Sequence, residues 1–196
     1  EPEHNRSVEL GTKWELLDGA LYVDAALFRI TKNNARVPDP AHPGFNILAG
    51  EQSVDGFSLN LIGRLSSTVN LNASYTRLDS EQGQTTQATV LPGTPLSNVP
   101  DNSMSLWLSW TPAQQLQVAA GARFVDERLA TIAQPVKSVQ DYQVFDAMLK
   151  YHHSDNLTFK LNLSNFTDEF YYEQLHPWHV IPGPARTAVF AVNLDY

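Results

Sequence analysis

Hydrophobic and polar side chains alternate at every second position along most of this chain. In the stretch 69–76, apolar residues at the odd positions alternate with asparagine, serine and threonine at the even positions. A period of two places successive side chains on opposite faces of a β-strand. The pattern predicts an all-β fold, an antiparallel sheet of about nine strands, at roughly 6–17, 20–34, 51–65, 69–80, 101–111, 115–128, 139–152, 157–170 and 185–196.

The joins between these strands alternate strictly in length. Four are short: a hairpin signal at Asp18-Gly19, and brief polar turns after Leu65, from Thr111 and from His153. Four are long, at about 35–50, 81–100, 129–138 and 171–184. In an outer-membrane barrel, short turns lie at the periplasmic end and long loops lie outside the cell. The alternation therefore indicates a transmembrane β-barrel in the cell outer membrane, with outer-membrane lipid against its apolar face.

The lengths of the apolar stretches and the positions of the aromatic residues agree with this interpretation. The apolar stretches are about 9–11 residues long, enough for a tilted strand to cross the hydrocarbon of a bilayer. Aromatic residues near strand ends could form girdles at the two membrane interfaces; they are Trp14, Trp110, Tyr151, Phe170, Tyr171, Tyr172 and Tyr196. Aromatic residues also favour strands in general, which is the alternative explanation of the same positions.

Composition and charge exclude several classes of protein. The chain has 196 residues and a formal net charge of -8. A nucleic-acid binder needs a basic face for phosphates, so no nucleic-acid partner is expected. The chain has no cysteine, which excludes a disulfide framework and thiolate metal sites. It also lacks a run of about 18 apolar residues, so no transmembrane helix is predicted.

The strand count has a topological consequence. The first strand runs into a short periplasmic turn and the ninth strand follows a long outer loop, so both strands run toward the periplasm. Complete bacterial barrels have an even number of strands, and an open sheet would leave two unpaired edges in lipid. We therefore expect residues 1–196 to form one C-terminal segment of a larger barrel. A miscounted strand would instead permit a small barrel of eight or ten strands.

Seven phrases of the sequence, taken in order, resemble the strands of TonB-dependent siderophore receptors. They are VELGTKWELLDGALYVDAALFRITKNNARVPDP (8–40), AGEQSVDGFSLNLIGRL (49–65), LSNVPDNSMSLWLSW (96–110), GARFVDER (121–128), YQVFDAMLKY (142–151), LNLSNFTDEFYY (161–172) and PGPARTAVFAVNLDY (182–196). Their order carries more weight than any one phrase. TKNNARVPDP and HPWHVIPGPART are most similar to catecholate siderophore receptors. Phe57 and Tyr196 depart from the residues that the family more often has there.

The resemblance implies a 22-stranded barrel with an N-terminal plug domain and a TonB box. Neither the plug nor the box is in this chain. It further implies TonB-dependent uptake of a ferric siderophore of catecholate type. The energy-transducing protein TonB would be a partner, bound through the N-terminal part that contains the plug and the TonB box. Iron would stay inside its chelator, so no cofactor and no metal ligand from the protein is expected.

A ferric tris-catecholate is a bulky aromatic anion, which cations and aromatic rings can bind through charge, stacking and cation–π contact. The candidate ligand-binding residues in or near the long joins are Arg36, Phe45, Arg77, Arg123, Arg128, Tyr142, His176, Trp178 and His179, with Lys137 as a further cation. The alternative for each of them is a solvated side chain or a member of a polar network in the lumen.

Other kinds of chemistry have weaker support. His176 and His179 are three residues apart, but Pro177 lies between them and no carboxylate completes a metal site. The motifs G-x-S-x-G, Walker A and H-E-x-x-H are absent, so an enzyme is not predicted. Three alternatives remain open. They are the same barrel with haem, cobalamin or a sugar as cargo, a small autonomous barrel acting as an adhesin or hydrolase, and a soluble β-sandwich that binds carbohydrate.

Overall fold

The computed structural model describes residues 2–175 and 179–195, and one antiparallel sheet of nine long strands dominates it. These strands are β1 His4–Leu16, β2 Leu21–Pro38, β3 Asn46–Arg64, β4 Val69–Gln82, β5 Asn102–Ala113, β6 Leu116–Val125, β9 Tyr142–Ser154, β10 Leu157–Ser164 and β13 Thr187–Leu194. Two short hairpins lie in the long joins: β7 Arg128–Thr131 with β8 Lys137–Val139, and β11 Tyr172–Leu175 with β12 Val180–Pro182. The predicted nine-stranded antiparallel sheet is confirmed.

The nine strands follow one another across the sheet as a meander, in the order β1-β2-β3-β4-β5-β6-β9-β10-β13. Within residues 2–175 and 179–195, no ladder joins β1 to β13, so the sheet is open at both edges. No helix in this part of the chain is long and apolar enough to cross a membrane.

The predicted alternation of short and long joins is also confirmed. The short joins are 17–20, 65–68, 114–115 and 155–156, and the long joins are 39–45, 83–101, 126–141 and 165–186. In the first short turn, Leu17, Asp18 and Gly19 all have positive φ, and the amide of Ala20 donates to the carbonyl of Leu17 at 3.0 Å. Because the strands form a meander, all short turns lie at one end of the sheet and all long loops at the other.

The register separates an apolar face from a polar face. Leu71 pairs with Leu108 on one face. On the opposite face, the hydroxyls of Ser74 and Ser105 are 2.8 Å apart. The apolar face carries a broad band of exposed large side chains: Val8, Leu10, Trp14, Leu16, Leu27, Met104, Leu106, Leu108, Trp110, Leu149, Tyr151, Phe190, Val192 and Leu194. Soluble monomers rarely expose so large an apolar surface, whereas a barrel wall presents it to lipid.

The buried hydrophobic cluster of the described residues is small and lies at the loop end. It consists of Tyr142, Val144 and Tyr171, with Val125 packed against it. In the part of the chain that the structure describes, no second large sheet packs on the nine-stranded one. The two-layer soluble sandwich therefore does not describe this architecture, because a sandwich buries a core between two sheets.

Two details of the strand prediction are wrong or lie outside the described residues. The eighth long strand was predicted to reach residue 170, but β10 ends at Ser164 because Asn165 has a φ of 49° and turns the chain. The segment 165–171 is therefore loop, and Phe170 and Tyr171 do not lie at the end of a membrane strand. Trp14, Trp110 and Tyr151 do lie on the apolar face near the short turns. Tyr196 lies outside the described residues.

Candidate functional site at the loop end

Three of the predicted ligand-binding residues lie close together at the loop end of the polar face. Tyr142 pairs with Val125 and Arg123 with Val144, on the polar face of β6 and β9. Arg128 follows three residues after the end of β6, and its guanidinium carbon lies 5.8 Å from the centre of the Tyr142 ring. We call Arg123, Arg128, Tyr142, Asp146, Asn165 and Tyr171 the loop hub, because together they hold the long joins at this end of the sheet.

Arg128 is buried, and its guanidinium is engaged on two sides. One terminal nitrogen donates to the side-chain oxygen of Asn98 and to the carbonyl of Glu173, both at 3.1 Å. The other donates to the carbonyl of Tyr172 at 2.5 Å. These partners belong to the joins 83–101 and 165–186, while Arg128 belongs to 126–141. One side chain therefore connects three long loops, and its role in this geometry is to position them.

The rings of Tyr142 and Tyr171 form the apolar centre of the loop hub. Their centroids are 4.5 Å apart with the planes inclined by 34°. Tyr171 in turn covers Gly183, where an added Cβ would lie 2.1 Å from the Tyr171 ring, and the amide of Gly183 donates to the Tyr171 carbonyl at 2.9 Å. Gly183 is therefore needed for close packing, which is one of the two roles expected of a glycine in a loop.

Arg123 is the cation of the loop hub that stays accessible. Its Nε lies 3.8 Å from a carboxylate oxygen of Asp146, and its side chain is 41% exposed. The other oxygen of Asp146 accepts a hydrogen bond of 2.8 Å from the amide of Asn165. An exposed ion pair of this length contributes little to stability, so the Arg123 guanidinium can exchange Asp146 for an anionic ligand at small cost.

Asn165 fastens the last long join to the sheet. It is 1% exposed, and its amide nitrogen donates to the carbonyls of Glu169 and Pro184 at 2.9 and 3.0 Å. Its side-chain oxygen accepts from the amide of Glu169 at 2.9 Å. Asp168, with a φ of 61°, accepts from the backbone amide of Arg186 at 2.9 Å. Both Asx residues thus bond backbone groups of the last long join beyond the end of β10, as Asx side chains commonly do.

Among the other candidates, Arg36, Phe45 and Arg77 do not lie in the loop hub. Arg77 lies on the apolar face of β4, where it pairs with Phe57 on β3. Arg36 is exposed between Ala35 and Val37, whose buried side chains both lie near Gly50, so Arg36 is on the opposite face of β2. Phe45 is 71% exposed in the join 39–45.

The join 39–45 is ordered by its own side chains. The carboxylate of Asp39 contacts Nδ1 of His42 at 2.9 Å and accepts from the amide of Ala41 at 2.8 Å. The bond from His42, followed by the bond from Ala41, lowers the pKa of Asp39 below its ordinary value. This loop is therefore a compact turn that presents Phe45 to solvent.

The remaining candidates lie in or next to the later loops. Lys137 lines an open cleft of about 700 Å³ with Gln87, Ser97 and residues 130–135. His179 directly precedes β12 and is exposed. His176 and Trp178 lie outside the described residues. Among the described residues, no group of three or more histidine, aspartate and glutamate side chains could hold a metal ion.

Sequence reasoning did not include three members of the loop hub as ligand-site residues. Asp146 is one polar position among many in an alternating strand, and Asn165 lies inside the predicted strand 157–170. Tyr171 was counted with the membrane girdle because it follows an apolar strand. Asn165 is the sequence signal that could have assigned Tyr171 to a loop, because an asparagine often marks a turn and this one precedes the tyrosine.

Comparisons with known proteins agree with this architecture. The family model for the TonB dependent receptor-like β-barrel matches residues 1–166. The probable TonB-dependent siderophore receptor PiuA of Acinetobacter baumannii is 35% identical over the whole chain, and the metal-pseudopaline receptor CntO of Pseudomonas aeruginosa is 31% identical. The chain spans 27% of the length of PiuA and 28% of that of CntO.

Solved structures give the same result. The crystal structure of PiuA superposes on 98% of this chain with a TM-score of 0.90 and 34% identity, and 28% of the PiuA chain is covered. The ferric-catecholate import receptor Fiu of Escherichia coli, in its closed form, superposes on 100% of this chain with a TM-score of 0.86 and 25% identity; 28% of its chain is covered. The chain belongs to the family of TonB-dependent receptor β-barrels, which are proteins of the outer membrane.

Proposed function

We propose that this chain forms the C-terminal part of the barrel of a receptor that imports a ferric siderophore of the catecholate class. Two of its relatives are named as siderophore or ferric-catecholate receptors, PiuA and Fiu. The single observation that carries the proposal is the loop hub. It places an accessible cation, Arg123, beside the packed rings of Tyr142 and Tyr171 at the mouth of the polar face.

The chemistry of a ferric catecholate fits this arrangement. The complex is an aromatic anion, so it gains from a guanidinium and from ring edges or faces at the same place. Arg128 is buried and donates to groups of two other loops, so we assign it a positioning role. Arg123 is the residue that we assign to the ligand. Iron arrives and leaves inside its chelator, so the receptor needs no metal ligand of its own.

The rest of the transport machinery belongs to the part of the receptor outside this chain. We propose that the two open edges of the sheet, β1 and β13, pair with further strands of a closed barrel of 22 strands, because unpaired backbone groups are costly in lipid. We further propose that a plug and a TonB box in that part connect the receptor to TonB. Ferric-siderophore uptake by the full-length receptor should then stop in cells that lack TonB.

The assignment of Arg123 can be tested with the full-length receptor. We expect the Arg123→Gln variant to bind a ferric catecholate about tenfold or more weakly, because one charge-assisted contact is lost. Arg64→Gln is the matched control, since Arg64 also lies on the polar face but near the short turns. Titration of both variants with a ferric catecholate, and uptake of radiolabelled iron under iron starvation, measure the effect. Equal binding by Arg123→Gln and the parent would contradict the assignment.

The class of cargo needs a separate comparison, because CntO is named as a receptor for a metal chelate of another kind. The same titration with a ferric catecholate, a ferric hydroxamate, a metal–carboxylate chelate, haem and cobalamin separates these candidates. Preference for the catecholate supports the proposal. Preference for any other cargo would leave the assignment as a TonB-dependent receptor unchanged but would contradict the proposed catecholate cargo.

A further inference from the structure

One tryptophan lies on the polar face of the sheet. Trp107 on β5 pairs with Asn72 on β4 and with Gly121 on β6. It therefore shares the face that carries the short serine and asparagine side chains, whereas Trp14 and Trp110 lie on the apolar face near the short turns. A girdle at the membrane interface explains those two residues but does not explain Trp107.

The ring of Trp107 covers Gly121 and still has a free surface. An added Cβ at Gly121 would clash with carbon atoms of this ring, so a glycine is needed there to leave room for it. The side chain of Trp107 is nevertheless 38% exposed. Among the described residues, its indole N–H has no hydrogen-bond partner. The sheet therefore fixes the ring on one side, while an aromatic surface and a donor stay open to the lumen.

The two tyrosines of the loop hub do not offer a surface of this kind. Tyr142 and Tyr171 are both buried, and their rings pack on each other. The Tyr171 ring also covers Gly183. A ligand ring can stack only on an aromatic face that is free. The hub tyrosines therefore hold the loops, and Trp107 is the nearby ring on which a ligand can stack.

Trp107 and Arg123 share one open cleft on the polar face. The cleft has a volume of about 210 Å³ and is also lined by Asn72, Ser105 and Asp146. A cavity of about 150 Å³ accommodates one benzene ring, so this cleft can hold one catechol ring. Arg123 is the diagonal neighbour of Trp107 across β5 and β6, and such neighbours lie about 7–8 Å apart. One catechol ring with its oxygen atoms can therefore contact both side chains.

We propose that Trp107 stacks on one catechol ring of the ferric siderophore while Arg123 contacts the negatively charged oxygen atoms of the same ring. The binding site then extends from the loop hub into the lumen along β5 and β6. Trp107 thereby determines specificity, because an aliphatic hydroxamate or carboxylate chelate has no ring to stack. This inference rests on the proposed function and adds to it the residue that selects an aromatic cargo.

Titration of the full-length receptor with a ferric tris-catecholate tests this role. We expect Trp107→Leu to bind the complex about fivefold more weakly, because the apolar bulk is kept and the stacking is lost. Trp107→Phe keeps a ring and should bind within about twofold of the parent. Trp110→Leu is the matched control, since it removes the same ring from the opposite face of the same strand. It should bind like the parent.

Fluorine NMR reads Trp107 directly and does not depend on the folding of the leucine variant. In the full-length receptor labelled with fluorotryptophan, the signal of Trp107 is identified by its absence in Trp107→Phe. The diamagnetic gallium complex of the same catecholate should shift this signal, because a stacked ring changes the magnetic field at the indole. The signal of Trp110, identified with Trp110→Phe, should stay in place.

The outcomes separate this inference from the proposed function. A parent receptor that binds no ferric catecholate overturns the proposed cargo and, with it, the stacking role. A parent that binds the catecholate, with equal affinity in Trp107→Leu or with an unmoved Trp107 signal, overturns the stacking role alone. That result would indicate that another part of the receptor, such as the plug, covers Trp107. Equal weakening by Trp110→Leu and Trp107→Leu would also overturn it.

Discussion

Different interactions stabilise the loop hub and the nine-stranded sheet, which we call the membrane wall. In the wall, backbone ladders join the strands, and the large apolar side chains on the outer face stay exposed on the surface that a barrel presents to lipid. In the loop hub, few ladders exist, and buried polar side chains such as Arg128 and Asn165 bond backbone carbonyls of separate loops. The wall should therefore tolerate changes that preserve polarity, whereas the hub should depend on individual atoms.

The largest effect is expected from Arg128→Ala in the loop hub. It removes hydrogen bonds to Asn98 and to two backbone carbonyls, and leaves buried acceptors without partners, so the loops should lose about 4 kcal/mol of local stability. Hydrogen exchange of the Asn98 amide, which donates to the Leu129 carbonyl at 2.8 Å, measures the change.

Lys137→Ala is the matched control for Arg128→Ala, because Lys137 is an exposed cation of the same join. It should leave the exchange of the Asn98 amide unchanged. Equal protection of that amide in Arg128→Ala and in the parent would show that Arg128 does not hold the loops together.

A charge in the lipid-facing wall should have the next largest effect. Leu71→Arg places a guanidinium on the apolar face, two residues inside the start of β4, and folding into bilayers should become roughly 2–3 kcal/mol less favourable. Asn72→Arg, on the polar face one residue away, should cost less than about 1 kcal/mol. Urea titration of folding into vesicles compares the two, and equal costs would mean that the faces are assigned incorrectly.

Gly183→Ala tests the close packing of the loop hub without removing a polar group. The added Cβ would lie 2.1 Å from the Tyr171 ring, so the ring and its partner Tyr142 must shift, at a cost of about 2 kcal/mol. Gly11→Ala is the control, because the nearest atom to its Cβ would be 3.5 Å away. Limited proteolysis within residues 165–186 should accelerate in the first variant alone.

The smallest effect is expected from acidification of the join 39–45. Its Asp39 has a lowered pKa in the folded state, so the stabilisation is complete above the ordinary pKa of aspartate and is lost as the pH falls through the lower folded value. The Ala41 amide should therefore lose protection against exchange only in acid. Asp39→Asn should remove this pH dependence, and a profile unchanged by the substitution would contradict the assigned cause.

The wall was predictable because its cause is local. Each strand must place apolar residues toward lipid and polar residues toward water, so a period of two appears directly in the sequence. The turn at Asp18-Gly19 has the same local cause, and it is confirmed by the positive φ of both residues. The end of β10 was missed, because the alternation was followed past Asn165 to residue 170 although the turn had already begun.

The candidate site was less predictable because it depends on which loops meet. Arg123 and Arg77 look alike in the sequence, since each lies toward the loop end of an alternating strand, yet the register places Arg123 on the polar face and Arg77 on the lipid side. The roles of Arg123 and Arg128 in ligand binding stay predictions, as do those of Phe45, Tyr142 and His179.

The sequence by itself determined the nine strands, the alternation of turns and loops, and the two faces of the wall. These follow from the pleat of a strand and from the contrast between lipid and water, which act on each residue separately. Only the tertiary structure decided that Arg128 is buried among three loops, that Tyr171 packs on Tyr142, and that Arg77 lies on the lipid side of the sheet. The reason is that such contacts join residues up to 45 positions apart, and their formation depends on the register of the whole sheet.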